Sequence, residues 1–302
     1  MNNFFNKFSR AMKKGNAFTI LIIVLILAIA FTSLYFGLFA KKTAGTGIPA
    51  IPAESAAESN RISIKDKYDG TITIPKFNIP LNTYDLKKFK SENGLVTYSG
   101  GDSYVGIDVS ELQGTVDWAK VKESGVDFVF IRSAWRGMTR GKIYEDAEFK
   151  NNIKGASDNG IKVGIYFFSQ ATSVQEAEEE AAYTINQLTK YKIDYPVVFD
   201  WEMNEGSRVV SAKGEDVSTY AAAFCKKIEL AGYKPMVYMN KSLGYDFYNL
   251  EVIGKYDFWI AEYEPEPSFY YNFEVWQYSD SGAVQGIEGN VDVNISFVDY
   301  SK

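Results

Sequence analysis

Residues 162–202 read KVGIYFFSQATSVQEAEEEAAYTINQLTKYKIDYPVVFDWE. An apolar run at 162–168 is followed by a charged segment of helical period, then by a second apolar run at 196–202. Ser173 and Glu176 have the capping-box spacing that opens a helix. Strand, helix, strand is the repeating unit of a parallel sheet. The same rhythm extends in both directions: YVGIDVS before VDWAKVKESG, FVFIRS before EDAEFKNNIKGASDNG, PVVFDWE before EDVSTYAAAFCKKIELAG, and KPMVYMN before a short segment at 243–250. Beyond it FWIAEY, FEVWQYS and VDVNISF are strands with no helix-length pattern between them. Five strand–helix units and three bare strands make eight strands, which suits a closed α/β barrel of TIM-like type with an irregular last third. A doubly wound open sheet is the alternative, but no Gly-rich phosphate loop follows the first strand.

The 302 residues contain no histidine and a single cysteine, Cys225. Ser-His-Asp and Cys-His chemistry and most catalytic zinc sites are thereby excluded. Cys225 lies in an amphipathic helical pattern and reads as a core thiol. No metal site and no cofactor is expected, and catalysis must rest on carboxylates, Tyr, Lys or Arg. Residues 61–302 carry 26 Lys plus Arg against 36 Asp plus Glu, which argues against nucleic acid as a partner.

No charged residue lies between Lys14 and Lys41. That length suffices for a transmembrane helix, which needs about 20 residues. Lys7, Arg10, Lys13 and Lys14 precede it, so the positive-inside rule puts residues 1–16 in the cytoplasm, a single-pass signal-anchor at 17–40, and everything later outside the cell membrane. Secretion after signal cleavage is the competing reading. Residues 41–60, rich in Ala, Pro, Ser and Gly, form a flexible linker. Residues 61–103 are an N-terminal extension leaning on the barrel at 104–302. Within it GTITI and LVTYSGG suggest strands, and TYDLKKFKSENG suggests a short helix ended at Gly94.

Chemistry in such barrels sits where the strands end. Strand one ends with Asp108, strand four with Asp200 and Glu202, strand five with Tyr238 and Asn240, strand six with Glu262 and Tyr263, strand seven with Trp276 and Gln277; the eighth carries Asp292. Alternation points Asp200 and Glu202 to one face and Trp201 to the other, so Trp201 is assigned to packing. Clustered carboxylates among aromatic residues suit glycosidic bond cleavage, which needs a proton donor and a negative group near the oxocarbenium-like state. The bland alternatives are that Asp108 caps a turn and that Asp292 pairs with Arg132 for structure alone.

The stretches GIDVSELQGTVDW (106–118), FVFIRSAWRG (128–137), KVGIYFFSQ (162–170), PVVFDWE (196–202), FWIAEY (258–263) and EVWQYSDSGAVQGIEGNVDVN (274–294) resemble the glycoside hydrolase family 25 lysozymes, which are N-acetylmuramidases. The resemblance covers about Tyr104 to Phe297. It implies a flattened (β/α)5β3 barrel and cleavage of the β-1,4 bond between N-acetylmuramic acid and N-acetylglucosamine in bacterial peptidoglycan, by a monomer. By position, Glu202 resembles the family's general acid/base and Asp200 its partner, a nucleophile or the stabiliser of a substrate-assisted intermediate. Asp108 and Asp292 match the other two carboxylates. Arg132, Tyr166 and Tyr238 match groups that line the cleft, and Asn240, Glu262, Trp276 and Gln277 are further candidates for sugar contact. Many members read YHF where this chain has YFF at 166–168, which bears on substrate contacts more than on the acid. A non-catalytic wall-binding barrel is the alternative function, and a turbidity assay on purified walls separates the two.

Overall fold

The computed structural model describes residues 60–92, 94–212 and 214–302. The expected cytoplasmic segment, signal-anchor and linker, up to residue 59, lie outside the described residues. Among the described residues no helix is long and apolar enough to cross a membrane. The described residues belong to one compact unit.

The extension holds two antiparallel hairpins, β1 (Arg61–Asp66) with β2 (Gly70–Pro75), and β3 (Phe89–Glu92) with β4 (Leu95–Tyr98). The helix expected at 83–94 is one 3-10 turn, Leu86–Lys88, capped by Asp85. Phe89 then turns extended, because its ring packs edge-on against Trp276 at 5.5 Å and against Tyr98 at 4.7 Å. Gly94 closes the hairpin at φ 79°, where a side chain would be strained.

The barrel begins with β5 (Tyr104–Val109), α1 (Trp118–Glu123) and β6 (Phe128–Arg136). A short strand missed by the periodicity, β7 (Ile143–Glu145), folds back antiparallel on β6. There follow α2 (Phe149–Asp158), β8 (Lys162–Ser169), α3 (Val174–Leu188), β9 (Val197–Trp201), α4 (Gly214–Leu230) and β10 (Pro235–Asn240). A π-helical turn at Leu243–Phe247 and α5 (Leu250–Ile253) lead to β11 (Asp257–Ala261), β12 (Val275–Gly282) and β13 (Val291–Ser296). The order β5-β13-β12-β11-β10-β9-β8-β6 closes through β5–β6 pairing into the expected eight-stranded barrel. All pairings around it are parallel except those of β13, which runs antiparallel to β12 and β5.

Alternation decides what fills the barrel. Phe128, Phe130, Val198, Met236, Tyr238, Trp259 and Val275 point inward, and Trp259 stacks on Phe130 at 4.5 Å. Gly106 makes room for this plug, since a Cβ there would meet the Phe128 ring at 2.2 Å. Outward residues pack under the helices. On α3, Ala177, Ala181, Thr184 and Leu188 form the buried stripe. Ser173 caps that helix by accepting from the Glu176 N–H, but Glu176 reaches one residue past the box, to the Thr172 N–H at 2.8 Å. Glu180, buried on the same stripe, pairs with Arg136 at 2.6 Å. The last three strands have no long helices over them. The extension packs there: the Tyr84 ring lies tilted against Phe297 at 4.1 Å and its hydroxyl donates to the Phe273 carbonyl at 2.7 Å, and the Tyr278 hydroxyl oxygen accepts from the Val96 N–H at 3.1 Å.

Candidate active site

The parallel strands end at one rim, and β13 starts there because it runs the other way. Asp292, near its start, lies in register with Asp108 near the end of β5. β9 brings Asp200 inward, and Glu202 follows just past the strand. Asp108, Asp200, Glu202 and Asp292 together line a pit of about 150 Å³ with Arg132, Tyr166, Tyr238, Trp259, Tyr263 and Gln277. Trp201 faces away, fully buried against Phe247, and donates to the Ala171 carbonyl at 3.1 Å.

Asp108 is the most firmly held of the four. Its Oδ2 accepts from Gln277 Nε2 at 2.8 Å and from Asn294 Nδ2 at 2.9 Å. Each amide is oriented in turn: Gln277 Oε1 accepts from the Tyr238 hydroxyl at 2.9 Å and the Tyr263 hydroxyl at 3.0 Å, and Asn294 Oδ1 accepts from the Trp259 indole at 2.8 Å. Asp200 differs, since its Oδ1 is buried with no hydrogen-bond partner among the described residues.

Burial pushes all four carboxyls above the ordinary carboxylate range, and crowding adds to it. Asp108 rises by burial and the charge of Asp292, Asp200 by burial, Glu202 and Asp108, Glu202 by burial and Asp292, and Asp292 by burial and Asp280. Two close pairs stand out: beyond burial, the charge of Asp292 raises Asp108, and the charge of Glu202 raises Asp200. Tyr166 and Tyr238, raised chiefly by burial, remain protonated.

Four expectations need correction. Trp276 points outward, fully buried, and donates to the Glu262 carbonyl at 2.8 Å; it packs the extension and does not line the pit. Glu262 also points outward, accepting from the Ser268 and Phe269 N–H groups at 2.8 and 3.1 Å. Asn240 caps the following turn through the Leu243 N–H at 2.9 Å. Arg132 pairs with Asp146 at 2.7 Å and Glu111 at 3.2 Å, and Asp292 is not its partner.

A shallow groove continues from the pit, sharing Arg132, Phe168 and Glu202 with it and adding Glu111, Leu112, Trp135, Met138, Asn204 and Glu205. Trp135 was invisible to strict alternation because β6 bulges between Arg132 and Ala134. The extra residue re-aims the strand, turning Trp135 toward the groove and Arg136 toward Glu180. Tyr263 closed the FWIAEY motif, yet its hydrogen bond to Gln277 had no signal in sequence.

A β/α barrel with a carboxylate cluster and aromatic walls at its strand ends defines the barrel class of glycosidase-type proteins. The sequence profile of Glycosyl hydrolases family 25 matches residues 107–287, and the chain belongs to that family. It is 30% identical over 190 residues to the autolytic lysozyme of Clostridium acetobutylicum, covering 63% of this chain and 54% of that protein. The chain thus spans about half the length of that curated relative. Among solved structures it is similar to the modular autolysin LytC from Streptococcus pneumoniae (TM-score 0.57, 25% identity, 78% of this chain, 56% of that one). It is likewise similar to a family 25 glycosyl hydrolase from Bacillus anthracis (TM-score 0.57, 25% identity, 69% of this chain, 95% of that one).

Proposed function

We propose that the chain is an N-acetylmuramidase that hydrolyses the β-1,4 bond between N-acetylmuramic acid and N-acetylglucosamine in bacterial peptidoglycan. The observation that carries this reading is the convergence of four carboxylates from three strands in one aromatic-walled pit, in a member of this family. Glu202 is the general acid. Burial and the charge of Asp292 raise its affinity for a proton, which favours the neutral, proton-bearing form that a general acid needs. It borders both the pit and the groove, which suits a donor to the oxygen joining the two sugars. On this reading the pit takes the sugar under attack and the groove takes the leaving side.

The substrate's own 2-acetamido oxygen attacks the anomeric carbon as Glu202 protonates the leaving oxygen. Asp200, beside Glu202 in the pit, orients the acetamido group and stabilises the positive charge that develops. Water then opens the cyclic intermediate while the Glu202 carboxylate takes its proton. Asp108 and Asp292 set the field that raises the other two. The enzyme acts from the cell membrane through the segment at 17–40, on peptidoglycan within reach of its linker. Remodelling or local wall opening suits that tether better than bulk lysis, and recovery of the active enzyme free in the medium would contradict it.

The direct test is Glu202→Gln in the full chain, assayed on purified cell walls. It preserves shape and removes the proton donor, so lysis should fall about 10²- to 10⁴-fold at a melting temperature no lower than wild type. A variant that clears walls at nearly the wild-type rate overturns the assignment.

A further inference from the structure

The turn joining β1 and β2 lies outside the stretch matched by the family, yet it grips a loop at the rim of the pit. That loop, 262–270, follows β11. Inside it, Glu262 accepts the Ser268 and Phe269 N–H groups and the Ser268 hydroxyl. From outside, Asp66 Oδ2 accepts from Ser268 Oγ at 2.9 Å and from Lys241 Nζ at 2.8 Å. Lys241 also reaches Asp69 at 2.7 Å and Glu262 at 3.4 Å. Tyr68 donates to the Glu266 carbonyl at 3.1 Å and accepts from the Glu266 N–H at 3.2 Å, and Lys67 pairs with the Glu266 carboxylate. Burial alone would raise the Asp66 carboxyl, but Lys241, the Asp69 and Tyr68 N–H groups and the Ser268 hydroxyl outweigh it and hold the group at about 2. It is therefore an anion at neutral pH.

The loop's second residue is Tyr263. Its hydroxyl lies 3.0 Å from Gln277 Oε1, and Gln277 Nε2 holds Asp108 at 2.8 Å. We propose that Asp66 is a positioning residue of the active site: the β1–β2 turn fixes the 262–270 loop and, through it, the Tyr263 hydroxyl that orients Gln277 against Asp108. The inference rests on the muramidase reading above. It makes the extension part of the catalytic unit, where a mere tie would only add stability.

The test is a double-mutant cycle of Asp66→Asn and Tyr263→Phe in the full chain, reading kcat and KM for release of reducing ends from peptidoglycan. Asp66→Asn should lower kcat about 3- to 30-fold with KM little changed. It should also lower the melting temperature, because a carboxyl held at about 2 adds stability at neutral pH, so kcat is read well below the melt. Combined with Tyr263→Phe it should cost no more than the worse single change, because both act on one contact. Wild-type kcat in folded Asp66→Asn, or effects of the two changes that multiply, would overturn the proposal. If Asp66→Asn does not fold, Ser268→Ala removes the loop-side partner of Asp66, together with that hydroxyl's contacts to Glu262 and Lys241, and the same two outcomes apply. A wild-type chain that releases no reducing ends overturns the muramidase reading, and this inference falls with it.

Discussion

The carboxyl group of Asp200 is buried, crowded by Glu202 and Asp108, and its Oδ1 has no partner among the described residues. Its proton affinity in the folded chain is raised above that in the unfolded chain. The sign follows: the folded state binds the proton more tightly, so this group's contribution to stability is full below the unfolded carboxylate pKa. That contribution is lost as pH rises toward the folded value. Asn carries no charge at any of these pH values. Asp200→Asn should therefore melt higher than wild type at pH 7–8, by about 2–4 °C for each kcal/mol of relieved strain, with the gap closing toward pH 4. Lysis by the same variant should fall by orders of magnitude. Thermal melts across pH check the first part, and a variant that melts lower than wild type at pH 8 contradicts it. The two-residue spacing of Asp200 and Glu202 made their shared direction legible in sequence, and the outward Trp201 with it. Applied with equal rigour, the same alternation excludes Glu262 and Trp276, which sit between inward Ala261 and Tyr263 and between inward Val275 and Gln277.

Among the elements, β13 and β6 hold what strand counting could not supply. A strand–helix rhythm reveals the number of strands but not the direction of the last one, and only the antiparallel course of β13 brings its early residue Asp292 to the rim. The β6 bulge likewise inverts the expected facing of Trp135 and Arg136, and bulges have no simple sequence signature. The extension was legible only in outline. LVTY and GTITI alternate and form strands, but RISIKD pairs with GTITI through main-chain bonds that composition does not announce. The reason Phe89 is extended is tertiary: it serves a barrel face left without helices. Tyr84 lies at the centre of that contact, against Phe297, Phe273 and Tyr98. Tyr84→Ala should destabilise the unit by about 2–4 kcal/mol in denaturant melts, as for loss of a large ring from a packed cluster. A loss below about 0.5 kcal/mol, the range of ordinary surface substitutions, would mean that the extension does not support the barrel.

At the level of the whole chain, we propose an exported barrel whose membrane tether would restrict its reach over the wall. The barrel itself was readable because eight strands of alternating or apolar pattern leave few alternatives. The pit's electrostatics were not, since they depend on how closely four side chains from distant positions meet after closure. The decisive measurement is the chemistry of the new ends. Purified peptidoglycan is digested with the full chain, the ends are reduced with borohydride, and the products are identified by mass spectrometry. A muramidase leaves reduced N-acetylmuramic acid at every new end. Reduced N-acetylglucosamine at those ends, or no new ends at all, would contradict the proposed reaction.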